Sequence, residues 1–354
     1  MSDDHGYLNA RVRALQGLLL GERDLEPALA AASLEEFTAF LGGTPYAAAV
    51  AEALAGTKGI AGVEEGLRRD FQRTMDHVVR VAGGRSRRLL SLVLGRWELF
   101  NVKTVLRGLH AHAGLERIMG NTVPFGRLDE PALKELARQG DVAAAIELLA
   151  QWRVPYAPAL RRALPLYRGR NDLLVLETAL DRGFFAVALR GLDPDRPDDA
   201  AVGGHLRREI DLILTGYALR AVHHGTPPAD LDEFFIPGGR TMTREIFARL
   251  CAAGTVAEFA AAMPRGAAAS CLEEGLAHGP APSRLVALDR ALQSCFARET
   301  LRVSRREPLS IGFAIGYIWR KAGEVTNLRL VARGKYAGLP RAEIEALLVP
   351  AGLG

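Results

Sequence analysis

The stretch GEVTNLRLVARGKYAG, residues 323–338, has the apolar spacing of a helix and occurs in similar form at two earlier places in the chain. In each copy an acid stands nine residues before an arginine, and successive copies are 113 residues apart. The aligned copies are ELFNVKTVLRG (98–108), DLILTGYALRA (211–221) and EVTNLRLVARG (324–334). The acid and the arginine in each are Glu98 with Arg107, Asp211 with Arg220, and Glu324 with Arg333. A repeat of this kind predicts three copies of one helical unit.

A second motif, acid-x-x-Leu-x-x-x-Phe, repeats with almost the same period. Its three copies are Glu64, Leu67, Phe71; Glu177, Leu180, Phe184; and Asp289, Leu292, Phe296. Leu at i+3 and Phe at i+7 lie on one face of a helix, so each copy predicts an apolar stripe. Glycines near the repeated arginines, at Gly108, Gly225 and Gly334, predict the ends of the helices that carry them.

The repeat predicts three helical domains, 1–117, 118–230 and 231–354. The front part of the unit also occurs at the N-terminus, where SLEEFTAFL (33–41) resembles TVAEFAAAM (255–263). The sequence therefore contains three copies of the unit, and a partial copy stands at each end of it. We expect the two ends to pack together, which would close the three units into a ring.

Composition favours an all-α protein. The 354 residues are 49% hydrophobic and 24% charged, rich in Ala, Leu and Arg and poor in aromatic residues. The net charge is +4, and the basic residues are spread along the chain rather than clustered with aromatics, which argues against nucleic-acid binding. No run approaches 18 apolar residues, so we expect no direct insertion into a membrane.

The sequence contains few candidates for catalysis or metal binding. The histidines His110, His112, His223 and His224 resemble metal ligands, but the third copy has Tyr336 at the place of His110. No HExxH, CxxC, phosphate-binding loop or dinucleotide fingerprint is present. We therefore predict no catalytic residue, no cofactor and no metal, and a metal-dependent hydrolase using these histidines is a minor alternative.

The repeated acid and arginine cannot bridge one another. Nine residues make two and a half helical turns, so Glu98 and Arg107 lie on opposite faces of their helix. Two interpretations stay open. In the first, the arginine complements the carbonyls at its helix end and the acid bonds to an adjacent helix. In the second, three equivalent arginines, Arg107, Arg220 and Arg333, line a common axis and contact a partner.

Three further stretches carry a resemblance to a known family. They are YLNARVRALQGLLL (7–20), FFIPGGRTMTREIFARL (234–250) and GYIWRKAGEVTNLRLVARGKYAGLPRAEIEALLVP (316–350). Together they resemble the C subunits of the V/A-type proton-translocating ATPases and ATP synthases, which are related to the d subunits of vacuolar ATPases. The chain departs from a uniform repeat at Leu214, which stands at the place of Asn101 and Asn327, although Asn9 reads as a further copy of that asparagine.

The resemblance implies a funnel-shaped subunit of three helical units around a pseudo-threefold axis. It implies a non-catalytic central-stalk subunit of the rotor, without a cofactor, peripheral at the cytoplasmic face of the membrane. Its partners would be the membrane proteolipid rotor ring and the central shaft subunits, and it would transmit torque as the socket between them. The alternative is a helical-repeat scaffold for peptides or nucleic acid, but solenoid repeats of about 20 to 45 residues are much shorter than this unit.

Overall fold

The structure is a computed structural model that describes residues 5–225, 231–278 and 284–349. Within these ranges the chain forms nineteen α-helices and no strand, apart from an isolated bridge between Phe125 and Leu128. The prediction of an all-α fold is confirmed. It follows from a composition dominated by strong helix formers and from the scarcity of β-branched runs.

Helix α1, Gly6–Gln16, stands first, and the described helices after it repeat one order of lengths: three short, two long and one short. The first series is α2 Glu22–Ala30, α3 Leu34–Leu41, α4 Ala47–Gly56, α5 Gly59–Val81, α6 Gly84–His110 and α7 Leu115–Met119. The second is α8 Glu130–Ala137, α9 Val142–Gln151, α10 Ala157–Arg170, α11 Leu173–Arg190, α12 Pro197–His223 and α13 Leu231–Phe234. The third is α14 Arg244–Cys251, α15 Val256–Ala262, α16 Ala267–His278, α17 Arg284–Arg306, α18 Ile311–Tyr336 and α19 Arg341–Leu347. The division into domains after residues 117 and 230 stays a prediction.

Side-chain caps decide where the short helices begin. Ser33, Asp141 and Thr255 precede the second helix of each series, and each accepts a hydrogen bond from the backbone N–H three residues on. Asp129 and Thr243 cap α8 and α14 in the same way. These side chains satisfy N–H groups that a helix start leaves without an intrahelical partner.

The long helices bury the stripe that the second motif predicts. Leu67 and Phe71 on α5 are 0% and 5% exposed, and the equivalent pairs on α11 and α17 are at most 9% exposed. Burial of this kind contributes roughly 1.5–3 kcal/mol for each large apolar side chain. The predicted apolar stripe is confirmed in all three copies.

The three helices end within two residues of the predicted glycines, but two of these glycines do not act as helix stops. Helix α6 runs to His110 and α18 to Tyr336, so Gly108 and Gly334 lie inside their helices. Only Gly225, with a φ of +61°, follows a helix end. The reason is packing, since a Cβ on Gly108 would lie 2.4 Å from Cγ1 of Ile118, and a Cβ on Gly334 would lie 2.5 Å from Cγ1 of Ile344.

The chain forms two compact units. One comprises Met1–Leu90 with Ala297–Gly354, and the other comprises Ser91–Phe296. In the first, α18 packs against α1, α2, α3, α5 and α19, so sequence from both ends of the chain shares one core. In the second, α10 packs against α9 and α11, and α12 packs against α11, α14 and α15.

Replacing Gly334 by Ala tests the packing explanation. We expect Gly334→Ala to lower the free energy of unfolding by about 1–3 kcal/mol, because the new methyl group overlaps the buried Ile344. Gly323→Ala on the same helix is the matched control, since a Cβ there meets no atom within 4 Å. That control should raise the free energy of unfolding by roughly 0.5–1 kcal/mol. Equal effects of the two substitutions in urea unfolding would contradict the explanation.

Candidate functional site

The repeated arginines pair with the acids of the second motif. Nε and Nη2 of Arg107 donate to the two carboxylate oxygens of Glu177 at 2.5 and 2.7 Å. Nη1 of Arg220 donates to the carboxylate of Asp289, with distances of 3.2 and 3.4 Å to its oxygens.

The third pair has the same composition. Nε of Arg333 donates to Glu64 at 2.5 Å. Each of the three pairs joins the last turns of the fifth helix of one series to the beginning of the fourth helix of another. We call these contacts the three junctions: α6 with α11, α12 with α17, and α18 with α5.

The order of the junctions is cyclic along the sequence. The first series pairs with the second, the second with the third, and the third with the first. Glu64 and Arg333 are 269 residues apart, so the third junction joins the C-terminal long helix to the N-terminal part of the chain. In a linear row of repeats, Glu64 of the first series would have no arginine to pair with.

The arginines at the junctions keep much of their surface in solvent. Their side chains are 55%, 43% and 55% exposed for Arg107, Arg220 and Arg333. The hydrogen bond to Glu177 raises the pKa of Arg107, and burial raises the pKa of the Asp289 carboxyl. Each pair contributes only about 0.2–1 kcal/mol because water screens it. Its main effect is to fix the orientation of one long helix relative to the other.

The repeated acids have a separate role at the segments that lead into α8, α14 and α2. Glu98 accepts the backbone N–H of Arg127 at 3.3 Å. Asp211 accepts those of Thr241 and Met242 at 2.9 and 3.0 Å. Glu324 accepts that of Leu20 at 2.9 Å. The third acid again receives its donor from the N-terminal part of the chain, so this contact follows the same cyclic order.

Two buried tyrosines donate hydrogen bonds to Glu98 and Glu324. The hydroxyl of Tyr156 donates to Glu98 at 2.7 Å, and that of Tyr46 donates to Glu324 at 2.5 Å. Burial, followed by the neighbouring carboxylate, raises the pKa of both tyrosines, so both hydroxyls stay protonated and donate. Nζ of Lys321 lies 2.9 Å from Oη of Tyr46 and adds a positive charge to this buried cluster.

Asparagine has a local role in the first and third series. The side chain of Asn101 exchanges two hydrogen bonds with the backbone of Val123, at 2.6 and 2.8 Å. Asn327 makes the same two bonds with Val349, both at 2.8 Å. In the second series Leu214 is fully buried at the equivalent position. The side-chain amide thus fixes the segment that follows α7 and α19.

Asn9 does not repeat this arrangement. Its Nδ2 donates to the carbonyl oxygens of Pro308 and Ser310 at 3.4 and 3.2 Å, in the turn between α17 and α18. Reading it as a further copy of the asparagine is therefore wrong. Asn9 holds α1 against a turn, whereas Asn101 and Asn327 fix the backbone beyond their own helix.

The structure changes the interpretation of the arginines. The first interpretation placed each arginine on helix-end carbonyls, and the structure places a carboxylate there instead. Sequence reasoning missed this partner, although the two motifs share a period and carry opposite charges in every copy. That the three arginines line a common axis and contact a partner stays a prediction.

The histidines considered as metal ligands have other neighbours. Nδ1 of His110 lies 2.8 Å from Oη of Tyr167, and the rings of His223 and His224 are 5.1 Å apart. In the described part of the chain, no group of three or more His, Cys, Asp or Glu side chains is placed to hold a metal ion. Across residues 5–225, 231–278 and 284–349, none of the helices has both the length and the apolar character needed to cross a membrane.

The sequence matches the ATP synthase (C/AC39) subunit family over residues 8–347. The chain belongs to this family. The C subunit of the V-type ATP synthase of Deinococcus radiodurans is 32% identical over 97% of this chain and 91% of its own length. The C subunit of the Thermus thermophilus V-type enzyme is 31% identical over 99% of both chains, and that of the Halorubrum lacusprofundi A-type enzyme is 29% identical over 98% of both.

The match confirms the resemblance to the C subunits of V/A-type enzymes. Because these are structural stalk subunits of the rotary ATP synthases, the prediction that this chain is not itself an enzyme is confirmed. The similarity extends over nearly the whole chain, so the matched region contains the repeated motifs and the residues of all three junctions.

Helix α12 of this family member also contains one fully buried histidine. His205 is 1% exposed, and its ring centroid lies 5.3 Å from that of Phe296. Burial, followed by the positive charges of Arg208 and Arg96, lowers the pKa of His205 from 6.5 to about 3. The imidazole is therefore neutral at neutral pH, and protonating it in the folded state is unfavourable.

The depressed pKa of His205 predicts a loss of stability in acid. In the unfolded chain His205 takes up a proton near pH 6.5, whereas in the folded chain it stays neutral down to about pH 3. The stability that the fold gains from the neutral imidazole is therefore fully present above pH 6.5 and is lost as the pH falls towards 3. We expect the wild-type free energy of unfolding to fall by about 2 kcal/mol more between pH 7 and pH 5 than that of His205→Leu.

Urea unfolding at the two pH values measures this difference. His223→Leu on the same helix is the control, because it also removes one histidine from α12, but an exposed one. Equal pH dependence in wild type and His205→Leu would contradict the prediction.

Proposed function

We propose that this chain is the non-catalytic central-stalk subunit of a V/A-type rotary ATPase or ATP synthase. In this proposal it is the socket that receives the central shaft, rests on the membrane proteolipid ring and transmits torque between them. The observation that carries the proposal is the cyclic order of the Arg–carboxylate junctions. It supports a body of three helical units around a pseudo-threefold axis, which the domain boundaries 1–117, 118–230 and 231–354 would describe.

Torque transmission requires a body that resists twisting. Close-packed helices deform little, because protein interiors are packed as densely as organic crystals. A cyclic set of junctions adds a directional contact between each long helix and the next, including the one that joins the two ends of the sequence. Such a body has no loose terminal repeat at which an applied torque would be lost.

The proposed partners follow from the family. Its members are subunits of ATP synthases, and the relatives are named as V-type or A-type. A subunit without catalysis in such a complex would connect moving parts, at the cytoplasmic face of the membrane. The alternative of a scaffold for peptides or nucleic acid has no support from the family.

Affinity purification tests the function. The tagged full-length chain is expressed in its source organism, membranes are solubilised in mild detergent, and the bound proteins are identified by mass spectrometry. We expect recovery of the proteolipid ring, the shaft subunits and the catalytic head together. A stable, folded chain that recovers none of them would overturn the proposed function.

The exposed arginines provide a sharper prediction. We expect the triple variant Arg107→Gln, Arg220→Gln and Arg333→Gln to reduce recovery of the complex roughly tenfold, since three partly exposed charges of about 0.5 kcal/mol each together contribute about 1.5 kcal/mol. A partner can be expected at these arginines because about half of each side chain faces solvent, within reach of an acidic residue on another subunit.

The matched control neutralises the other side of the same pairs, with Glu64→Gln, Glu177→Gln and Asp289→Asn. This variant breaks the junctions but keeps the arginines. Direct contact with a partner predicts a larger loss in the arginine variant than in this control. Unchanged recovery by an arginine variant whose circular dichroism and thermal unfolding match wild type would contradict the prediction.

A further inference from the structure

The contacts that the three junctions share do not decide which long helix pairs with which. Each junction has the same kind of Arg–carboxylate pair beside the same buried Leu and Phe. By these contacts alone, Arg333 of α18 would fit Glu177 of α11 as well as it fits Glu64 of α5. The choice of partner therefore depends on residues that differ from one junction to the next.

The third junction contains a buried ion pair of its own. Nζ of Lys321 on α18 lies 2.8 Å from Oδ2 of Asp70 on α5, and the two side chains are 5% and 18% exposed. The same Nζ lies 2.9 Å from Oη of Tyr46, 4.0 Å from the centre of the Tyr46 ring and 3.6 Å from Oε1 of Glu324. A lysine buried in this way is unfavourable unless a carboxylate faces it.

Neither of the other two junctions has these residues at the same places. Counted by the periods of the two motifs, Lys321 and Asp70 are replaced by Gly95 and Gly183 in the first junction and by Arg208 and Cys295 in the second. A Cβ on Gly95 would lie 2.5 Å from Cε2 of Phe184, and a Cβ on Gly183 would lie 2.8 Å from Cβ of Ala159. The first junction therefore has no room for this ion pair, and the second has no acid for it.

The first junction has a different buried pair. Nζ of Lys103 on α6 lies 2.7 Å from Oδ2 of Asp181 on α11, which also accepts the hydroxyl of Tyr217 at 2.8 Å. On α5 the place of Asp181 is taken by Arg68. Packing α6 on α5 in this register would set Lys103 against Arg68, and packing α18 on α11 would set Lys321 against a glycine. Each wrong pairing buries a charge without its partner, which disfavours it.

We propose that the buried Lys321–Asp70 pair selects α5 as the partner of α18 and so closes the C-terminal long helix onto the N-terminal part of the same chain. Of the three helices that carry the acid of the second motif, only α5 has a carboxylate at this place. The half-exposed Arg333 orients the two helices but is common to all junctions. The inference concerns how the chain closes, and it holds whether or not the chain is the socket of a rotary complex.

The test separates the two halves of the pair into two full-length chains. Lys321→Met leaves Asp70 buried without its lysine, and Asp70→Leu leaves Lys321 buried without its carboxylate, so each chain is mismatched with itself. When the two chains exchange their C-terminal helices, one contact joins two apolar side chains and the other joins the natural lysine and aspartate. Exchange of an identical element between copies is a common route to dimers. The chains are unfolded in urea, mixed and refolded together.

We expect the mixture to form a heterodimer roughly tenfold or more in excess of either homodimer, measured by native mass spectrometry, because only the heterodimer pairs every buried charge. The double variant Lys321→Met with Asp70→Leu in one chain should refold as a monomer, because its own ends match. Its Glu324 keeps the Tyr46 hydroxyl and a backbone N–H, the same kinds of donor that Glu98 has at the first junction without a lysine.

The matched control mixes Arg333→Gln with Glu64→Gln chains, which breaks the shared, half-exposed pair between the same two helices. We expect no excess of heterodimer there. Absence of the heterodimer from the Lys321 and Asp70 mixture, an equal yield from the control mixture, or equally abundant dimers of the double variant would overturn the proposal. These comparisons also decide it where a single variant fails to fold alone, because the matched partner is present only in the mixture.

Discussion

The structure depends on one interaction made three times, an arginine near the end of a long helix with a carboxylate near the start of another. The arginine of each pair is about half-exposed, and the pair contributes little free energy. Its importance lies in direction, since a guanidinium and a carboxylate fix the relative position of their helices. The third pair, between Arg333 and Glu64, places the C-terminal long helix against the N-terminal part of the chain. Because α1, α2, α3 and α5 pack against α18, sequence from both ends shares one core and neither end is an isolated repeat.

The repeated acids, two of them buried and Asp211 half-buried, show how the same geometry is built from different residues. A buried carboxylate is unfavourable unless hydrogen bonds satisfy it. Glu98 and Glu324 meet this requirement with a tyrosine hydroxyl and a backbone N–H, whereas Asp211 uses Thr241 and Met242. Burial raises the pKa of Glu324, which reflects how strongly its surroundings disfavour the charge. In the second series the asparagine is replaced by Leu214, which is fully buried, so this position is apolar there.

The period of the sequence predicted the helical fold and the apolar stripes, because these depend on spacing along one helix. It could not predict that Arg107 meets Glu177, 70 residues away, or that Tyr46 meets Glu324, 278 residues away. Periodicity indicates which face of a helix is apolar but not which helix it meets. The error at Gly108 and Gly334 has the same origin, since a glycine near a helix end can serve either as a stop or as a place for close packing, and only the position of the neighbouring helix decides.

Departures from the repeat are informative because three identical junctions would present three identical surfaces. In the first junction Lys103 adds a second ion pair, 2.7 Å from Asp181, and in the third Arg329 lies at the equivalent place, 3.7 Å from Glu64. The second series has Gly216 at that position, and its Arg220 reaches the shorter Asp289 only at 3.2 Å. Of the contacts just named, the second junction therefore has one ion pair and each of the other two has two. Unequal junctions suit the proposed socket, because a shaft and a many-membered ring cannot both match a threefold repeat, and three junctions that differ give the subunit three different surfaces to present to them.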